Sequence, residues 1–291
     1  MYGSFVKLDA EFIEEHVNEW FKKMVKLSRS LPRDDLKGVA DTLRAKLDEF
    51  RTYLPLISCI CSPGMRGRHW QAISDMAGVK VSPAEDESLQ GLLGHSLLNY
   101  EKQLQDLADS AAREFALEKQ LDKMQQEWVG VAFELAPWKN TGGFILKGGS
   151  VDEAQLQLDD HAIKSQAMMS SPFAKPFHER IAAWTAKLSK SQAIFDEWLT
   201  CQVKWMYLGP VYGSEEIAKQ MPKERKEFTV ADGKFRRIMV ATEKNPDVLA
   251  ICSMDGLLED LADANKVLPS MPWHLPMSLQ PHDMAQKQLH A

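Results

Sequence analysis

The sequence has 291 residues, 44% apolar and 26% charged, with a formal net charge of −6. That suffices for one large or two average domains with a substantial core, and 16 glycines with 14 prolines exclude a collagenous or wholly disordered chain. The acidic balance argues against non-specific nucleic-acid binding as the main task, no apolar run approaches the ~18 residues of a membrane span, and the early acidic residues do not support secretion.

From Ile13 the apolar residues Val17, Trp20, Met24, Leu27 and Leu31 step by three and four, which predicts an amphipathic helix closed near Pro32. Leu36, Val39, Leu43, Leu47, Phe50 and Leu54 repeat the pattern, with Asp34 or Asp35 as N-cap, so two antiparallel helices joined by a short turn are expected. Cys61-Ser62-Pro63-Gly64 is turn chemistry; Trp70, Ile73, Met76 and Ala77 then predict a short helix that Gly78 ends. After a polar, acidic loop at 83–88, a seam of Leu97, Tyr100, Leu104, Leu107 and Ala111 continues through Phe115, Leu121, Met124 and Trp128. Such a helix has about 32 residues and a length of roughly 48 Å.

The period then falls to two, with Val129, Val131, Phe133 and Leu135 on one side. A turn at Asn140-Thr141-Gly142-Gly143 and the run Phe144-Ile145-Leu146 complete a β-hairpin over 129–147. Ser150 and Glu153 match a capping box for a helix that Pro172 halts. Phe177, Ile181, Trp184, Leu188, Ser191, Phe195, Trp198, Gln202 and Trp205 form the strongest heptad, stopped at Gly209-Pro210. Such a seam requires a long partner, and the 97–128 helix is the expected one, with Trp184 and Trp198 in the shared core. Short helical pieces are expected near 214–221, 223–228, 234–243 and 256–267. The stretch 269–291 carries Pro272, Pro276 and Pro281 without periodicity, which predicts a flexible tail.

The chemistry-bearing residues do not assemble a catalytic set. The run from Gly143 to Ser150 is one substitution short of a phosphate loop, because Gly149 stands where the lysine belongs. Cys59, Cys61 and His69 lack zinc-ligand spacing, and all four cysteines, with Cys201 and Cys252, read as free thiols in a reducing compartment. Asp159-Asp160-His161 places adjacent helical residues about 100° apart, so His161 is assigned a structural hydrogen bond. The basic runs at Lys219–Lys226 and Lys234–Arg237 read as solvated helix faces. Trp70, Trp128, Trp184, Trp198 and Trp205 are the candidate structural anchors. No cofactor, metal or catalytic residue is assigned.

Several strings taken together are specific. Leu54-Pro55-Leu56, the run Cys61-Ser-Pro-Gly-Met-Arg-Gly-Arg-His-Trp70, Leu158-Asp-Asp-His161, Met169-Ser-Ser-Pro172, Phe195-Asp-Glu-Trp-Leu199, Gln202-Val-Lys-Trp-Met-Tyr-Leu208 and Gly213-Ser-Glu-Glu-Ile217 resemble the linker region of dynein heavy chains over about residues 10–268. The Leu-Asp-Asp-His string resembles the axonemal type. The resemblance implies a mainly α fold: an elongated bundle of long antiparallel helices with one inserted β-hairpin, spanning 1–268. It implies a mechanical lever without an ATPase module, and an isolated fragment, a short isoform or a truncated product that ends before the motor ring. Contact residues on the hairpin would be Trp138, Lys139 and Asn140. Its implied partners are the AAA+ ring, other dynein chains and axonemal proteins, in the cytoskeleton of a cilium or flagellum, with neither nucleic acid nor membrane. An early end to the lever would leave Leu257, Leu258 and Leu261 less protected and favour self-association. A free-standing helical scaffold is the alternative.

Overall fold

The computed structural model describes residues 8–31, 34–83, 88–93, 97–139, 141–213 and 215–268. It is mainly α-helical with one two-stranded antiparallel sheet, as the periodicities predict. The expected tail at 269–291 lies outside the described residues. The chain divides into two compact units, Met1–Lys119 and Gln120–Ala291. Among the described residues no helix is long and apolar enough to cross a membrane.

In the first unit, α1 (Ala10–Ser30) starts at Asp9, whose carboxylate accepts from Phe12 N–H. It packs antiparallel to α2 (Asp34–Arg51): Ser28 Oγ donates to Asp41 at 2.6 Å near one end, and Arg51 Nε donates to Asn18 at 3.1 Å near the other. The expected pair therefore forms, but its rotation differs from the simplest reading. Met24 and Ser28 are the buried residues of α1, whereas Trp20 and Leu27 are 50% and 41% exposed.

The second apolar run also breaks at Thr52-Tyr53, so that Leu54–Ile60 forms a separate α3 with Pro55 in its first turn. Helix α4 (Gly67–Ala77) ends at Gly78 with φ of 66°, as predicted. A short α5 (Leu89–Leu93) was not foreseen; part of the acidic loop before it lies outside the described residues. The unit's core gathers Leu56, Ile57, Ile60, Trp70, Ile73, Val81, Leu89, Leu97 and Leu104. The predicted long helix appears as a 3₁₀ turn, Leu97–Tyr100, followed by α6 (Glu101–Glu127), which begins in the first unit and ends in the second.

In the second unit the hairpin is shorter than 129–147. Strand β1 (Leu135–Trp138) pairs with β2 (Gly143–Leu146) in the register Leu135 to Leu146 and Trp138 to Gly143. Residues 131–133 instead pair with residues 246–248: Phe133 N–H donates to Pro246 O, and Val248 N–H donates to Val131 O. Alternation thus identified extended chain but not its partner, because both partners satisfy the same backbone groups.

Helix α7 (Gly148–Met169) starts two residues before the capping box, with Lys147 at the N-cap position. Ser150 is already inside the helix; its hydroxyl donates to Lys147 O and accepts from Glu134 N–H. A 3₁₀ turn, Pro172–Phe177, leads into α8 (His178–Tyr212), a 35-residue helix. It runs through Gly209-Pro210 instead of stopping there. At about 1.5 Å per residue it measures roughly 52 Å.

Every seam residue of α8 from Ile181 to Trp205 is buried. The expected partner is corrected, however. Helix α8 packs along α7 and α12 (Leu257–Val267), with further support from α10 (Pro222–Lys244) and α11 (Val248–Cys252). From α6 it receives the ion pair of Arg180 with Asp122 at 2.7 Å. Between α8 and α10 lies α9 (Glu215–Gln220). The two pieces expected at 223–228 and 234–243 are one continuous helix. Leu257 and Leu261, expected to be poorly protected, are fully buried against α8 and α10.

Candidate functional site

The hairpin is held on α8 by a polar residue inside an apolar seam. Gln202 is 3% exposed, and its side-chain amide pairs with the backbone of Leu146: Oε1 accepts from Leu146 N–H at 2.8 Å and Nε2 donates to Leu146 O at 3.2 Å. The amide thereby does for the free edge of β2 what a neighbouring strand would do. One helical turn further on, Trp205 lies beneath the turn. A Cβ on Gly143 would come within 3.0 Å of the Trp205 ring and 3.1 Å of Arg236 Nη1, so a side chain there would have to push one of them aside by a few tenths of an ångström.

The same indole connects the hairpin to α10. Trp205 Nε1 donates to Asp232 at 2.7 Å, and Asp232 accepts from Arg236 Nε at 2.8 Å. Arg236 Nη1 then reaches across to Thr141 O at 2.9 Å, and its guanidinium lies 5.5 Å from the Trp205 ring. Trp205 also stacks at 4.8 Å on Phe235. Turn, α8 and α10 are thus tied through one indole, one carboxylate and one guanidinium. A cavity of about 250 Å³ lies beside them, lined by Trp138, Trp205, Tyr212, Phe228, Arg225 and Arg236 among others.

The outer turn is differently built. Trp138 is half-buried at the end of β1; Lys139 is exposed with φ of 48°, and its Nζ lies 4.7 Å from the Trp138 ring. Asn140 lies outside the described residues. The structure therefore places a cation and an indole together at the exposed turn.

The other proposed anchors are spread through the two units. Trp70 is buried in the core of the first. In the second, Trp198 is completely buried, with Phe133 at 5.5 Å, and Trp184 is 6% exposed. Among the described residues, the indole N–H groups of Trp184 and Trp198 have no hydrogen-bond partner. Trp128 is different: its Nε1 donates to His161 Nδ1 at 3.0 Å, and His161 Nε2 lies 3.0 Å from Glu127 Oε2. Because the indole can only donate, Nδ1 is an acceptor and the proton belongs on Nε2, facing Glu127. His161 thus makes the structural hydrogen bonds assigned to it.

His69 has the same arrangement in the first unit. Its Nδ1 accepts from Arg66 N–H at 3.0 Å, and Nε2 lies 3.1 Å from Glu114 Oε2. Burial holds the imidazole below its ordinary range, with Arg68 and Arg66 acting in the same direction against the opposing pull of Glu114. Both ring nitrogens are engaged within the protein. Among the described residues no group of three or more His, Cys, Asp or Glu is placed to hold a metal ion.

Burial also sets the thiols' chemistry: Cys59 is pushed up to about 11, and Cys201 and Cys252 to about 12. The four cysteines are free.

Sequence reasoning missed Asp232, Arg236 and Thr141 as a connected set, because they lie far apart in the chain. Gln202 carried a readable signal, a polar residue at a seam position, where burial demands a hydrogen-bonding partner.

Residues 1–276 match the family described as dynein heavy chain, N-terminal region 2. The chain is 40% identical over 264 residues to dynein axonemal heavy chain 1 of Rattus norvegicus, covering 90% of this chain and 6% of that protein. It is 35% identical over 269 residues to dynein axonemal heavy chain 3 of Homo sapiens, covering 92% and 6%. With dynein axonemal heavy chain 12 of Homo sapiens it shares 36% identity over 277 residues, 92% of this chain and 9% of the relative. The chain therefore spans less than a tenth of the length of these relatives.

Proposed function

The chain belongs to the dynein heavy chain family, matching its N-terminal region 2, and from that premise we propose that it serves as the N-terminal part of the linker, a mechanical lever, of an axonemal motor. The observation that carries this reading is α8: an unbroken 35-residue helix whose seam is buried on several neighbours and clamped to the hairpin through Gln202 and Trp205. Such an element resists bending, because bending it requires breaking packed apolar contacts and buried hydrogen bonds together. In this reading the chain transmits force and has no nucleotide chemistry of its own. Trp70, Trp128, Trp184, Trp198 and Trp205 act as packing anchors, while Trp138 and Lys139 at the turn contact the partner.

The partner is a dynein motor ring, and the location is the axoneme of a cilium or flagellum. The test is binding of this chain to a purified axonemal motor ring lacking its own linker, with and without nucleotide. Affinity that changes with nucleotide, and falls when Trp138 and Lys139 are replaced by alanine, supports the lever. Absence of ring binding in every nucleotide state overturns it, as does ATP hydrolysis by the isolated chain.

A further inference from the structure

In the second unit, the cavity of about 250 Å³ beside the hairpin turn is walled by residues at helical spacing. Arg225, Phe228, Asp232 and Arg236 step by three and four along α10, and Trp205, Gly209 and Tyr212 do the same along α8. Each row therefore lies on one face of its helix. Trp138 adds the hairpin's wall.

Most polar groups of the wall are satisfied within the chain. Asp232 accepts from Trp205 and Arg236, Arg236 also donates to Thr141 O, and Thr229 Oγ1 donates to Arg225 O at 2.8 Å. Two side chains are exceptions. Tyr212 is 6% exposed, with its ring 5.3 Å from that of Phe228, yet its hydroxyl has no hydrogen-bond partner among the described residues. The Arg225 guanidinium has neither a hydrogen bond nor an ion pair among them. Both side chains line the cavity, and both can donate to an acceptor placed in it.

The wall sets the charge and the shape of what fits. Asp232 offsets Arg236, so Arg225 supplies one uncompensated positive charge, whose planar fork matches a single carboxylate. A phosphate dianion would bring a second negative charge up against the Asp232 carboxylate. The rings of Trp138, Trp205 and Phe228 favour a flat apolar body. The volume lies below the ~300–1,000 Å³ of drug-sized sites, which limits that body to one ring.

We propose that this cavity binds a carboxylate carried on a short arm from an aromatic ring, with Arg225 and the Tyr212 hydroxyl holding the carboxylate and the aromatic walls holding the ring. A free aryl-alkyl acid presents that chemistry, and so does a C-terminal phenylalanine of a polypeptide. The assignment does not depend on the lever reading, since acid binding is measured on this chain without a motor ring.

The probes are hydrocinnamate, its neutral amide, and N-acetyl-glycyl-phenylalanine with a free C-terminus, each titrated into the full chain by calorimetry. Hydrocinnamate should bind at millimolar concentration or below, and at least about tenfold more tightly than the amide, a ratio corresponding to ~1.4 kcal/mol. Arg225→Gln should remove that preference. Tyr212→Phe keeps the ring beside Phe228 and should weaken binding of the acid several-fold while leaving the amide and the melting midpoint unchanged. Tighter binding of the peptide than of hydrocinnamate identifies a polypeptide C-terminus as the source of the carboxylate, and the reverse identifies a small acid. No binding of either acid, equal binding of hydrocinnamate and its amide, or a preference that survives both substitutions would overturn the proposal. So would tighter binding of phenyl phosphate than of hydrocinnamate, which would make the site one for phosphate.

Discussion

Gln202 shows how much one side chain can settle. Replacing it with leucine keeps its bulk but leaves Leu146 N–H and C=O without the amide that satisfies them. An orphaned buried polar group costs about 1–3 kcal/mol, so Gln202→Leu should lower the melting midpoint and speed amide exchange at Leu146. Unchanged exchange there would mean that water replaces the amide. His69 yields a pH dependence with a definite sign. Its imidazole is held below the ordinary value of 6.5 by burial, so the unfolded chain takes up the proton first as pH falls. Its contribution is complete above 6.5 and is lost progressively below it. Wild type should therefore lose stability below pH 6.5 more steeply than His69→Asn, measured by urea unfolding across that range. The thiols predict a labelling order. Cys61 is half-buried, whereas Cys201 and Cys252 are buried and pushed up to about 12. Iodoacetamide at neutral pH should modify Cys61 first and the other two only on unfolding, as mass spectrometry of the peptides would reveal.

Among the elements, α8 is joined to the hairpin through Gln202 and Trp205 and packs on Phe133 just before it. Trp198 is completely buried with Phe133 against it, and Trp→Ala at such a site costs about 3–5 kcal/mol. Trp198→Ala should therefore depress thermal stability sharply, and a midpoint within error of wild type would contradict the burial. Gly143→Ala acts from the opposite side, forcing a methyl against the Trp205 ring and Arg236. Overpacking of this kind costs about 1–3 kcal/mol, so exchange across β1 and β2 should accelerate while α7 is little changed. In the first unit Gly64 is more tightly constrained, since a Cβ there would stand 2.2 Å from the carbonyl oxygen of Ala111. Backbone cannot yield as a flexible side-chain tip does, so Gly64→Ala should be the more damaging of the two glycine substitutions.

At the scale of the whole molecule, apolar contact and local backbone bonding dominate, while the charges mostly decorate. Lys234 and Arg237 pair with Asp260 and Asp263 across α10 and α12; Lys234 and Asp260 are partly buried, Arg237 and Asp263 exposed, and pairs open to solvent contribute about 0–1 kcal/mol each. The sequence by itself determined the helical character, the α8 seam, the stop at Gly78, the presence of one hairpin and the family resemblance. Each of these depends on residues within a turn or two of one another, or on ordered strings that survive without knowledge of the fold. Only the tertiary structure decided that α8 lies along α7 and α12, that the helix passes through Pro210, that Leu257 and Leu261 are covered, and that Trp20 and Leu27 are not. A heptad states that a helix needs a neighbour but not which one, because many apolar surfaces satisfy it equally until long-range packing excludes all but one. The link from Gln202 to Leu146 and from Trp205 through Asp232 and Arg236 to Thr141 was out of reach for the same reason: hydrogen bonds depend on distance in space, and these residues become neighbours only after the helices have packed.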